Sequence, residues 1–128
     1  MNTNDLDEKF EERDVQNDVM VELSERTVRA FLDLFILRKL GESSEPLSGY
    51  DFIGLIFDEF GITVSPGSIY SVLYSMERDG LIRGLSYQWK RVYVLTDNGE
   101  KKIKTVSGKK EKVLNLFGSL FLSSWVVG

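Results

Sequence analysis

The sequence predicts a mostly helical α+β fold, and three observations lead to this prediction. Two helical patterns with clear start and stop signals follow one another between residues 48 and 80, joined by a short turn that contains glycine. Two runs of β-forming residues come next, at 81–83 and 91–95. A further helical pattern occupies the C-terminal segment. This order is that of a winged helix-turn-helix domain followed by a long C-terminal dimerisation helix.

The composition restricts the possible functions. The chain of 128 residues contains neither Cys nor His. Thiol chemistry, disulfides, His-ligated metals and His-based acid/base catalysis are therefore excluded. The sequence also has no Gly-rich phosphate loop and no clustered acid pair, so we expect neither an enzyme nor a cofactor or metal site.

The charge is unevenly distributed along the chain. Residues 1–24 hold eight acidic and two basic side chains, a net charge of −6. Because the whole chain carries −4, residues 25–128 carry +2 and can present a basic face to phosphate groups. We interpret residues 1–21 as an acidic N-terminal arm, either mobile or a weak helix that orders against a partner, and a solvated tail without a role is the alternative. This segment lacks a signal-peptide pattern, so we expect a cytoplasmic protein.

The first two helices have different signals. Residues 22–40 show a wide apolar stripe at helical spacing, and Gly41 supplies a stop. The second helix begins after Ser48, which forms a capping box with Asp51, and it ends at Gly61. These signals predict one helix over 22–40 and a shorter second helix.

The next helix, predicted over residues 65–79, has capping signals at both ends. Ser65 caps it, Pro66 fits the first helical position, and Gly80 takes the left-handed stop. Its core-facing stripe is Ile69, Val72, Leu73 and Met76. The opposite face is small, hydroxyl-rich and aromatic, and its candidate contact residues are Ser65, Gly67, Ser68, Tyr70, Ser71 and Tyr74. Such a face can lie flat on a partner and hydrogen-bond to it.

The hairpin that follows this helix is predicted to be a wing, with residues 84–91 at its tip. These residues combine basic and aromatic side chains that have no core reason to occur together on a loop. The candidates are Tyr87, Gln88, Trp89, Lys90 and Arg91. In an alternative interpretation, Trp89 packs back on the body of the domain. With the wing included, the winged helix-turn-helix domain spans residues 22–96.

Residues 97–128 are predicted to form the dimerisation helix, which opens with a capping-box pair of Asp97 and Glu100. Apolar side chains recur at heptad-like spacing, and the seam consists of Ile103, Val106, Val113, Phe117, Leu120 and Phe121. Because a lone helix would expose this seam, we expect a homodimer. The uncharged stretch 113–127 is shorter than the roughly twenty residues that span a membrane, so we expect no membrane contact.

Four motifs occur in a fixed order, at residues 47–51 (LSGYD), 64–70 (VSPGSIY), 73–82 (LYSMERDGLI) and 93–99 (YVLTDNG). Together they resemble the PadR family of winged-helix transcriptional regulators, of the short type with a single C-terminal helix. The resemblance covers about Phe31 to Ile103. It implies an N-terminal winged-helix domain, dimerisation by the C-terminal helix, and repression by operator binding that a small ligand relieves.

The resemblance implies a sequence-specific regulator of double-stranded DNA that acts as a homodimer. Helix 65–79 then enters the major groove, and Lys90 and Arg91 reach the flanking backbone or minor groove. The first two turns of this helix lack Arg, Asn and Gln, so we expect shape and water-mediated reading to dominate. The alternative function is a winged-helix protein-interaction module of the transcription apparatus without strong DNA binding.

The resemblance also bears on small-molecule control, because relatives in the family bind flat, apolar molecules between their subunits. Phe31, Phe35 and Trp125 are the candidates for lining such a pocket for a small aromatic effector. Alternatively, these aromatic residues belong to the dimer core, which is the more frequent role of aromatic stripes on helices.

Overall fold

The computed structural model describes residues 3–124, with the side chains of residues 15–124, and it confirms the predicted mostly helical α+β fold. The described elements are α1 (Thr3–Ala30), α2 (Leu32–Glu42), β1 (Leu47–Ser48), α3 (Gly49–Phe60), α4 (Pro66–Arg78), β2 (Ile82–Tyr87), β3 (Lys90–Leu95), α5 (Asp97–Gly108) and α6 (Lys110–Phe121). Helices α3 and α4 form the helix-turn-helix, and β2 and β3 form the wing.

The three strands form one antiparallel sheet in the order β1-β3-β2. In this sheet Tyr93 of β3 lies opposite Leu47 on one side and Gly84 on the other. The two-residue strand β1 was not predicted, because a strand this short has no periodicity of its own. It ties the start of α3 to the base of the wing.

The core is built where helices α2, α3 and α4 meet above the sheet. The largest side chains that are fully buried there are Ile36, Leu37, Phe52, Ile56, Ile69, Leu73 and Ile82. The predicted stripe on α4 is confirmed, since Ile69, Leu73 and Met76 are buried and Val72 packs against them at the edge. Burying one face of α4 leaves its opposite face for contact with a partner.

The predicted caps of α3 are confirmed. The Asp51 N–H donates to Ser48 Oγ at 3.2 Å, and the Ser48 N–H donates to Asp51 Oδ2 at 2.8 Å, which completes the capping box. Gly61 ends the helix with a φ of 67°. The predicted stop at Gly41 is wrong, because α2 continues to Glu42 and the C-cap is the next residue, in an extended conformation.

The N-terminal helix differs from the prediction of one helix over 22–40. Helix α1 begins at Thr3, so it includes most of the segment interpreted as an arm. This segment was expected to be either mobile or a weak helix, and in the structure it is helical from Thr3 onward. Residues 3–30 contain neither Gly nor Pro, which leaves no local stop signal. The helix breaks at Phe31, whose N–H is shared between the carbonyls of Thr27 and Val28.

The C-terminal helix is also divided, because Lys109 leaves the helical conformation with φ −110° and ψ 35°. Gly108 precedes the break and lowers the helix propensity there. Helix α5 is capped by Thr96 and not by Asp97: the Thr96 hydroxyl accepts from the Gly99 N–H at 3.2 Å and donates to the Gly80 carbonyl at 2.6 Å. This second bond, which joins α5 to the end of α4, selects Thr96 as the cap.

Helix α6 ends at Phe121, short of the predicted end of the C-terminal helix, and Trp125 lies outside the described residues. None of the helices in the described part of the chain combines the length and the apolar character that crossing a membrane requires.

Candidate nucleic-acid interface

The start of α4 is held by its own serine residues. The Ser68 N–H donates to Ser65 Oγ at 3.2 Å, and the two hydroxyls lie 2.9 Å apart. Pro66 occupies the first turn, and a Cβ added to Gly67 beside it would meet no neighbouring atom within 4 Å. The first turn is therefore exposed, and the Gly67 N–H and the positive dipole end of the helix are available to an anion, whereas Pro66 has no N–H and the Ser68 N–H is bonded to Ser65.

The outward face of α4 carries the predicted hydroxyl and aromatic groups. Ser71 and Tyr74 are exposed, and Tyr74 has 70% of its surface in solvent. Arg78 extends this row at the end of the helix, where its Nε lies 3.3 Å from the Asp79 carboxylate. The face thus offers hydroxyl groups along its length and charged side chains of both signs at its end.

Tyr70 is positioned by a close approach to α3. A Cβ on Gly49 would lie 2.7 Å from Tyr70 Cζ, so the tyrosine ring rests where only glycine leaves space. The ring also meets the edge of Tyr50, with centroids 6.3 Å apart. Tyr50 was not among the predicted contact residues, although it stands in the LSGYD motif, and it extends the tyrosine surface onto α3.

The wing is a longer and tighter hairpin than predicted. Residues 84–87 belong to β2 and only Gln88 and Trp89 form the turn, so the predicted loop over 84–91 is wrong in extent. Both turn residues have positive φ, 47° and 68°, as a type I′ turn requires. Gly84 was expected to begin a loop, but it pairs with Tyr93 within the sheet. The alternative placement of Trp89 against the body is also wrong, because its side chain is fully exposed.

The two basic residues of β3 have different surroundings. Lys90 is exposed and lies opposite Tyr87 immediately below the turn. Arg91 instead points at α4, where its Nη2 donates to Glu77 Oε2 at 2.6 Å and Oε1 at 2.9 Å. The hydrogen bond to Glu77 raises the pKa of Arg91. Arg91 also covers Gly84, which leaves space for the guanidinium.

Two grooves border the outward face of α4. The groove on the wing side has a volume of about 630 Å³, and its walls are Tyr70, Tyr74, Glu77, Arg78, Arg91 and Tyr93. Burial raises the pKa of Tyr93, so this hydroxyl stays protonated. The opposite groove, about 280 Å³, places Arg29 of α1 and Lys102 of α5 in one lining with Ser71, and the carboxylates of Asp33 and Asp79 line it as well. Sequence reasoning missed both cations, because they come from distant parts of the chain.

The predicted dimerisation residues do not share one environment. Ile103 packs against the core of its own domain, and Val106, Val113 and Phe117 are half-buried within the chain. Leu120 and Phe121 are exposed on α6. The exposed members of the predicted dimerisation seam are therefore on α6.

Two of the predicted effector residues, Phe31 and Phe35, make different ring contacts, and the third, Trp125, lies outside the described residues. Phe31 meets Phe117 edge to face, with ring centroids 5.2 Å apart. Phe35 is buried and packs on Phe60, with the cations of Arg38 and Lys39 near its ring. Phe35 therefore belongs to the contact between α2 and α3.

Comparisons with known proteins agree with this geometry. The sequence matches the transcriptional regulator PadR-like family over residues 36–105, whereas no curated protein matches it significantly. A proposed transcriptional regulator from Thermoplasma acidophilum, of known structure, shares 27% identity and has a TM-score of 0.64, with 79% of this chain and 99% of that chain covered.

Two further solved structures are less similar in sequence. A PadR-like transcriptional regulator from Bacillus cereus shares 23% identity, with 77% of this chain and 99% of that chain covered and a TM-score of 0.61. A winged-helix DNA-binding protein from STIV shares 21% identity, with 72% and 92% covered and a TM-score of 0.53. At these identities the likeness shows the winged-helix fold.

Proposed function

The chain belongs to the transcriptional regulator PadR-like family, and from this premise we propose that it is a cytoplasmic, sequence-specific DNA-binding repressor that acts as a homodimer and has no catalytic role. The observation that carries the proposal is the outward face of α4, which is exposed, rich in hydroxyl groups and flanked by the wing. The hairpin and its flanks, residues 80–96, contain three basic residues and no acidic one.

In this proposal α4 enters the major groove with its first turn foremost. The Gly67 N–H and the positive end of the helix dipole bind a phosphate, and Ser71 and Tyr74 face the base edges. Hydroxyl groups donate to or accept from several bases, so discrimination depends more on DNA shape and bridging water than on bidentate pairs. Arg29 and Lys102, beside Ser71, suit the backbone on the side away from the wing.

The wing contacts the adjacent backbone in this arrangement. Lys90 is exposed and reaches a phosphate directly. Arg91 joins it once the guanidinium leaves the carboxylate of Glu77, at the cost of a partly exposed ion pair.

We propose that the second subunit packs along α6. Leu116, Leu120 and Phe121 each have more than half of their surface exposed on a 12-residue helix, and Leu114 is exposed as well. A second copy packed along this helix removes these side chains from water. A small aromatic effector would act at the contact of Phe31 with Phe117, the point where α6 meets the DNA-binding domain.

Sedimentation tests the dimer with matched substitutions of two exposed phenylalanines. Phe121→Ser on α6 should shift the full-length protein toward the monomer at micromolar concentration. Phe57→Ser on α3 has a similar exposure and should leave the mass unchanged. An unaltered dimer in the Phe121 variant, or a monomeric wild type, would contradict the proposed interface.

DNA binding is tested by selecting duplexes from a random pool with the full-length protein and measuring affinity against salt. We expect Lys90→Ala to weaken all sequences alike and to lower the salt slope by about 0.9, one phosphate contact. Lys101→Ala on α5 removes the same charge away from α4 and is the control. Ser71→Ala or Tyr74→Ala should instead change which sequences are preferred.

The same titration separates the two candidate classes of function. Only phosphate contacts release counterions, so DNA binding without salt dependence, or no enrichment of any sequence, would contradict the proposal. A winged-helix module that recognises another protein would then be the better explanation.

A further inference from the structure

The turn at the tip of the wing has an unfavourable sequence for its conformation. Both central residues of a type I′ turn have positive φ, and Asn-Gly or a similar pair normally occupies them. Here the two positions are Gln88 and Trp89, with φ of 47° and 68°. A large side chain in the left-handed region is strained by its own Cβ. The strained residue is also the largest side chain of the hairpin.

No packing contact within the domain offsets the strain at Trp89. Its exposure is 106% of the reference for a free side chain, so it makes no packing contact with the domain. Leu85 and Tyr87, on the strand below it, are exposed as well. An exposed indole at a strained position indicates a contact outside the chain.

The charges on the hairpin indicate which kind of partner Trp89 contacts. Lys90 is exposed directly beside the turn, Arg91 follows it and is paired with Glu77, and Arg83 lies at the other end of the hairpin. An exposed aromatic group next to a cation suits a polyanion that also offers flat rings. Duplex DNA has both properties.

We propose that Trp89 is a wedge that inserts into the minor groove, stacks on the edge of a base step and bends the duplex. This inference rests on the proposed DNA-binding function and specifies how the wing contributes to it. The minor groove is only about 6 Å wide, so two strands about 4.8 Å apart with their side chains cannot enter it. The tip side chain alone reaches the floor, and Tyr87 and Lys90, paired just below the turn, meet the phosphates of the two walls.

The test compares two substitutions at the same position of the full-length protein. Trp89→Gly removes the indole and relieves the strain, so it should keep or raise the melting temperature. Trp89→Phe retains a ring that can stack. The probe is a duplex that the wild-type protein selects from a random pool, with a donor and an acceptor dye on its two ends.

We expect Trp89→Gly to weaken binding about tenfold while the salt slope stays unchanged, because stacking releases no counterions. The dye-to-dye distance should shorten on binding of the wild type and of Trp89→Phe, and much less with Trp89→Gly. In a Trp125→Phe background, where Trp89 is the only Trp of the chain, DNA should quench its fluorescence.

Three results would overturn the wedge. The first is that the wild type and Trp89→Gly bind with equal affinity and give the same dye-to-dye distance. The second is that Trp89→Gly and Trp89→Phe lose the same affinity, and the third is that Trp89 fluorescence is unquenched in the complex. In each case DNA binding by the wild type remains, so the proposed function survives. Failure of the wild type to select any duplex would instead remove both proposals.

Discussion

The ion pair between α4 and the wing gives the sharpest prediction. Glu77 presents a carboxylate on the surface proposed to face DNA, and it engages Arg91 through two contacts of 2.6 and 2.9 Å. The substitution Glu77→Gln keeps the shape of the side chain and removes its charge. It frees the guanidinium and abolishes one negative charge near the phosphates.

The expected change in stability is small. The side chains of Glu77 and Arg91 are 33% and 49% exposed, so the pair contributes below about 1 kcal/mol after screening by solvent. A carboxylate in the last turn of α4 also interacts unfavourably with the helix dipole. Removing the charge of Glu77 therefore offsets part of the stability lost with the ion pair. We therefore expect the free energy of unfolding to change by less than about 1 kcal/mol.

The expected change in DNA binding is larger. A unit charge about 4 Å from a phosphate is worth about 1 kcal/mol in water, which corresponds to roughly fivefold in affinity. We expect Glu77→Gln to tighten binding about three- to tenfold at low salt. The freed Arg91 should raise the salt slope by about 0.9, so the gain should shrink as salt is added.

The assay is a titration of a labelled duplex at several salt concentrations, followed by fluorescence anisotropy. Glu100→Gln on α5 is the matched control, since Glu100 also forms a surface ion pair, with Lys104 at 2.7 Å, away from the wing. Unchanged or weaker binding by Glu77→Gln, with an unchanged salt slope, would refute the reasoning. The pair would then serve to fix the angle of the wing.

Two further predictions concern packing and pH. Gly49→Ala should displace Tyr70 and alter the affinity for DNA. Gly54→Ala, in the same helix but with open space around it, should raise the stability by about 0.5–1 kcal/mol. Thermal melting and DNA titrations of both variants check these expectations. A hydrogen bond from Lys39 is the main cause that lowers the pKa of Glu59 below 4.5, so its stabilising effect is present above that pH and is lost as pH falls. In denaturant titrations Glu59→Gln should therefore reduce stability at pH 7, by below about 1 kcal/mol, and this loss should disappear in acid once Glu59 is protonated. An equal loss at neutral and acidic pH would contradict this cause.

Local chemistry made much of the fold predictable from the sequence. Caps act over three residues, and the capping box of Ser48 with Asp51 and the cap at Ser65 are found as predicted. Apolar residues at helical spacing identified the buried face of α4, and with it the exposed face opposite. Together with the hairpin, these signals were sufficient for the winged-helix fold. The family was predicted from the resemblance of four motifs, and the match to the family over residues 36–105 confirms it.

Tertiary packing decided the features that depend on residues far apart in the chain. Arg91 is paired with a residue 14 positions away, and Arg29 and Lys102 lie beside the same helix although 73 positions separate them in the sequence. A helical or strand period reports which face of an element is buried, but it does not say which other element covers that face. The sequence by itself therefore determined the elements and the exposed side of α4, and only the folded chain determined which charges surround it.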